Sequence, residues 1–97
     1  MYQTPEELWV LREYRENLLN DVSCVWEERA WKYFRQYGLK QTIRMIGNTL
    51  YFRWETLEEA FFQETGRDPR LERKMKRYFY RAVAREAVKK ILEKESL

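Results

Sequence analysis

Ninety-seven residues, 44% hydrophobic and 36% charged, have the composition of one small globular domain and not of a disordered segment. There is no histidine, and the single cysteine, Cys24, cannot form an internal disulfide; imidazole catalysis, ordinary zinc sites and a disulfide-stapled scaffold are therefore excluded. The net charge of +3 is unevenly spread: residues 1–65 hold 8 Lys and Arg against 11 Asp and Glu (net −3), and residues 66–97 hold 11 against 5 (net +6).

The spacing predicts a first helix over 5–37. Thr4-Pro5-Glu6-Glu7 has the form of a capping box, with Pro5 at the first helical position where its missing N–H costs nothing. Leu8, Leu11, Tyr14 or Leu18, Val22, Val25, Trp26, Tyr33, Phe34 and Tyr37 then recur at helical spacing, and Gly38 suits the residue just past the end. Asn20-Asp21-Val22-Ser23 is where a bend is expected, because these polar side chains compete for backbone hydrogen bonds.

Over 41–54 the period changes to 2. Gly47-Asn48 separates two alternating runs, and Gly supplies the positive φ that a tight two-residue turn needs. The implied register sorts Met45, Leu50, Ile43 and Phe52 onto one face, with Phe52 expected in the core, and Arg44, Tyr51 and Arg53 onto the other. The competing reading is a helix through Leu39, Ile43 and Ile46 that stops at Gly47. Thr56-Leu57-Glu58-Glu59 is a second capping box, opening a helix over 57–65 that ends at Gly66. Asp68-Pro69 then opens a basic helix over 69–94, whose apolar row is Leu71, Met75, Phe79, Val83, Ala87 and Ile91. The expected fold is one domain over 1–97, mainly α with one β-hairpin in the order α-ββ-α-α; an all-α helical bundle is the alternative.

The last helix carries the most pointed pattern. Arg73, Arg77, Arg81, Arg85 and Lys89 stand four apart and form one ridge nearly opposite the apolar row, about 24 Å long at a rise of ~1.5 Å per residue. Arg70 and Lys74 widen it at the start. Glu72 and Glu86 are the only acids between residues 69 and 92, so few ion-pair partners exist on the same helix, though acids of the first helix could neutralise the ridge in three dimensions. Arg44, Tyr51 and Arg53, with Lys40 nearby, form an auxiliary surface suited to gripping phosphate and stacking bases, or simply to packing Arg over Tyr. The helices at 57–65 and 69 onward, joined by Gly66-Arg67-Asp68, have the connection length of a helix-turn-helix.

Catalysis finds little support. The acidic pairs Glu6-Glu7 and Glu58-Glu59 are explained by helix starts, Cys24 lacks a base and reads as inert packing, and three glycines form no phosphate loop. No cofactor or metal is expected. The longest apolar run, Leu8–Leu11, is far short of the ~20 residues of a membrane span, and Met1-Tyr2-Gln3 does not open a secretory leader, so a cytoplasmic setting is expected. Trp9, Trp26 and Trp31 on a long first helix are candidate anchors for a protein partner or a second copy. The function expected is a non-enzymatic nucleic-acid-binding protein or accessory subunit; the alternative is an assembly factor whose ridge docks on an acidic protein.

Overall fold

The structure, a computed structural model, describes residues 5–95. It contains five α-helices: α1 (Pro5–Val25), α2 (Glu27–Tyr37), α3 (Leu39–Phe52), α4 (Trp54–Thr65) and α5 (Arg73–Glu95). There is no strand among the described residues, so the β-hairpin expected over 41–54 is corrected to helix α3, and the fold is an all-helical bundle. The Thr4 cap lies outside the described residues.

The first 33 helical positions are divided by a kink at Trp26. Its N–H still donates to Val22 O (3.0 Å) and its carbonyl still accepts from Ala30 N–H (2.8 Å), so the hydrogen-bond ladder runs through a backbone distorted to φ −101°, ψ 10°. The bend falls three residues beyond the polar 20–23 stretch. The buried Trp26 turns there to complete the seam of Leu11, Tyr14, Leu18 and Val22, while Ser23 satisfies its own hydroxyl on Leu19 O. Gly38 ends α2 as expected, with φ +87° that few other residues adopt, and its carbonyl begins α3 by accepting from Thr42 N–H.

Helix α3 runs straight through Gly47-Asn48. A two-stranded hairpin is marginal without a third strand, and the described residues supply none. A helical stripe of Thr42, Ile46, Gly47 and Leu50 can instead be buried against α5. Gly47 is needed for close approach, not for a turn: a Cβ there would lie 3.2 Å from Arg81 Cα and 3.7 Å from Ala84 Cβ. The side-chain sorting changes with the fold. Phe52, expected in the core, is 81% exposed.

Helix α4 starts at Trp54, three residues before the expected start at Leu57, because the chain leaves α3 through Arg53 alone and Leu57 N–H bonds Arg53 O directly. Thr56 and Glu59 are therefore interior. Gly66 ends the helix in the left-handed conformation, as expected. Helix α5 starts at Arg73, not at 69. Asp68 Oδ1 accepts from Arg70 N–H (3.0 Å), Arg70 takes φ +42°, and buried Pro69 and Leu71 pin the segment before Glu72 O receives the first helical bonds. The α4–α5 connection is thus seven residues long, and the helix-turn-helix geometry is not formed.

The core seam of α5 is Lys76, Tyr80, Val83, Ala84, Ala87, Val88 and Ile91. Against the expected row, it is rotated at the N-terminal half: Met75 is 45% exposed and Tyr80 is fully buried.

Candidate nucleic-acid interface

Helices α3 and α5 make the most extensive pairing in the molecule and run antiparallel. The small residues Gly47 and Ala84 let their backbones approach, and the side chains flanking that crossing line a groove. At one end Lys40, Ile43 and Arg44 of α3 face Arg81 and Arg85 of α5. At the other, Tyr51 faces Lys74, Arg77, Tyr78 and Arg81. Arg77 lies over the Tyr51 ring, 5.7 Å from guanidinium carbon to ring centre.

Six cations therefore share this groove, and among the described residues none of them is ion-paired. The ion pairs among the described residues are Arg15–Glu86, Arg67–Glu13 and Arg70–Asp68. Among the described residues no acid of α1 pairs with a ridge cation. Glu13 is engaged by Arg67, and α1 meets α5 on another face, through Tyr14 stacked on Phe79 at 5.7 Å. Glu86, the one acid between Arg73 and Lys89, is taken by Arg15 of α1.

The residues singled out from the sequence divide accordingly. Arg77, Arg81, Arg85 and Lys74 line the groove together with Arg44 and Tyr51. Arg73 and Lys89 are exposed on α5 beyond its two ends. Arg70 lies outside α5 and is held by Asp68 (Nε to Oδ2, 3.1 Å). Arg53 is exposed at the α3–α4 corner and is not among the groove-lining residues. Of the three tryptophans, Trp26 belongs to the core and presents no surface for a partner. Trp31 is half-buried beneath Arg35, and its enclosed Nε1–H has no acceptor. Trp9 is 59% exposed beside Arg12 and Glu16. Cys24 is exposed, not packed.

One polar cluster was not legible in the sequence. Tyr80 donates to Glu58 Oε1 (3.1 Å), so the 2.8 Å contact between the Tyr14 and Tyr80 hydroxyls has Tyr14 as donor. Burial raises the pKa of both phenols, and it also raises that of Glu58 above the usual carboxylate range, against the pull of Lys76. Lys76, 5% exposed, places its ammonium over the Trp54 ring, and desolvation lowers its pKa. A lysine amid Arg73, Lys74 and Arg77 reads as solvated ridge. Only its i+4 spacing to Tyr80, itself i+3 from Val83, marks it as part of the seam.

No helix among the described residues is long and apolar enough to cross a membrane, and no three His, Cys, Asp or Glu side chains converge on a possible metal position. Compared with known protein families, curated proteins and solved structures, the chain finds no match.

Proposed function

We propose that this protein is a non-enzymatic nucleic-acid-binding protein that holds phosphates in the α3–α5 groove and along the α5 ridge. The observation that carries the reading is the convergence of Lys40, Arg44, Lys74, Arg77, Arg81 and Arg85 from two helices without a carboxylate partner among the described residues. Structural charge networks on helical proteins interleave both signs; here one sign is concentrated where helix packing leaves an open groove. Phosphate contacts fix position and do not read bases, so little sequence preference is expected. A cytoplasmic setting suits the exposed, unpaired thiol of Cys24.

Salt dependence tests the reading. With five cations on phosphates, log K falls against log salt with a slope of roughly −4 to −5 on duplex DNA and about −3.5 on a single strand. Arg77→Ala with Arg81→Ala reduces that slope by about 2 on duplex DNA, with the fold retained because neither guanidinium lies in the core. Absence of affinity at low salt, or a slope unchanged in the double variant, contradicts the reading. Capture of an acidic protein, with no affinity for nucleic acid, would favour the docking alternative.

A further inference from the structure

The α3–α5 groove is aromatic as well as cationic at the end near the start of α5. It opens there into a cleft of about 460 Å³ lined by Tyr51, Lys74, Arg77, Tyr78 and Arg81. That volume is in the ~300–1,000 Å³ range of small-ligand sites and has room for one nucleotide.

The two tyrosines of the cleft differ in what they have left to offer. Tyr51 is half-buried, with Arg77 over its face and Phe52 edge-on at 5.6 Å, so its ring is already engaged. Tyr78 is 79% exposed and enters no ring pair or cation–π contact among the described residues. A lone exposed aromatic is ordinary. Tyr78, however, stands among Lys74 (i−4), Arg77 (i−1) and Arg81 (i+3), three cations without a carboxylate partner among the described residues. Hydrophobic docking alone would not call for that surrounding charge.

The form of nucleic acid follows from what an exposed ring beside phosphate-binding groups can meet. In a duplex each base is stacked on its neighbours and offers only its edge to a groove, so the ring face has no counterpart. In a single strand the base faces are free, and stacking tolerates any sequence because every base has a π-face. We infer that, given the phosphate-binding reading above, the preferred ligand is a single-stranded nucleic acid with one base stacked on Tyr78 and the adjoining phosphates held by Lys74, Arg77 and Arg81. Tyr51 is a positioning residue: its ring holds the Arg77 guanidinium over the cleft.

The test is fluorescence anisotropy with a labelled 15-nucleotide oligothymidylate and a hairpin duplex of equal phosphate number, each across a salt series. The single strand binds more tightly than the duplex. Tyr78→Ala weakens single-strand binding roughly 5- to 150-fold, leaves the salt slope unchanged and leaves duplex binding unaltered. Tyr78→Phe, which keeps the ring, retains single-strand affinity. Circular dichroism melting of Tyr78→Ala checks that the fold is intact. Equal affinity for the two forms, or single-strand binding by Tyr78→Ala equal to that of the unaltered protein, overturns the inference and leaves the phosphate-binding reading standing on its salt slope. No binding to either oligonucleotide at low salt overturns both.

Discussion

Burial of Lys76 beneath Trp54 disfavours its charged form more than the nearby Glu58 and Glu55 favour it, and Arg73 adds to the lowering of its pKa. Between that lowered value and the ordinary 10.5 the folded protein binds fewer protons than the unfolded chain, so this residue makes stability rise with pH in that window. Lys76→Met should shrink the gain in urea midpoint from neutral pH to about pH 9.5; an undiminished gain would show that Lys76 is solvated. Glu58 acts in the opposite sense. Its raised pKa means that the folded state holds the proton longer, so its contribution is fullest below 4.5 and is lost as pH rises through the folded value. Glu58→Gln should remove that decline, read from the difference in urea midpoint between variant and parent over pH 4 to 7. At Tyr80 the hydroxyl serves both Glu58 and Tyr14. Tyr80→Phe therefore leaves the Tyr14 hydroxyl buried without its partner, at a cost of roughly 1–3 kcal/mol. Adding Tyr14→Phe should cost less than the sum of the two single changes, which a double-mutant cycle by chemical denaturation measures.

Helix α3 shows why part of the fold could be read from the sequence and part could not. Gly38 and Gly66 were legible as helix ends because positive φ is a local demand, met locally. Gly47 was not, because its requirement is the Arg81 backbone 34 positions away. Residues 41–54 satisfy both a period of 2 and a stripe through Thr42, Ile46 and Leu50. The choice between them is made by α5, which offers a small-residue face to pack against and no strand to pair with. Gly47→Val tests this directly. It should destabilise by about 1–3 kcal/mol through overpacking at the crossing, and Gly47→Ala by less, since alanine recovers about 1 kcal/mol of helix propensity. The same geometry reverses the cost order expected of a hairpin. Ile46→Ala, fully buried, should cost ~2–5 kcal/mol, whereas Phe52→Ala should lie within about 0.5 kcal/mol of the parent. Equal costs at the two positions would argue against α3 as described.

Charge is partitioned by the packing as well as by the sequence. The acidic character of the first two-thirds is carried on α1 and α4, while α2 holds more bases than acids and α3, which has no acid at all, lays Lys40 and Arg44 beside the α5 ridge. The ridge itself was legible, because a spacing of four on one helix needs no tertiary information. Arg44 and Tyr51 were assigned to the same surface from a hairpin that does not form. They are joined by a helical spacing of seven, so helix α3 keeps them on one side and sets them against α5. Arg53 and Arg70 fall outside the groove because each sits at a chain reversal that local spacing does not reveal. The most direct test of the groove as the nucleic-acid surface is an amide chemical-shift titration of isotopically labelled protein with a short oligothymidylate at low salt. Binding in the groove concentrates the shifts at residues 40–51 of α3 and 74–85 of α5, with α1 and α2 nearly silent. Shifts centred on α1 around Trp9, or none at saturating oligonucleotide, would contradict it.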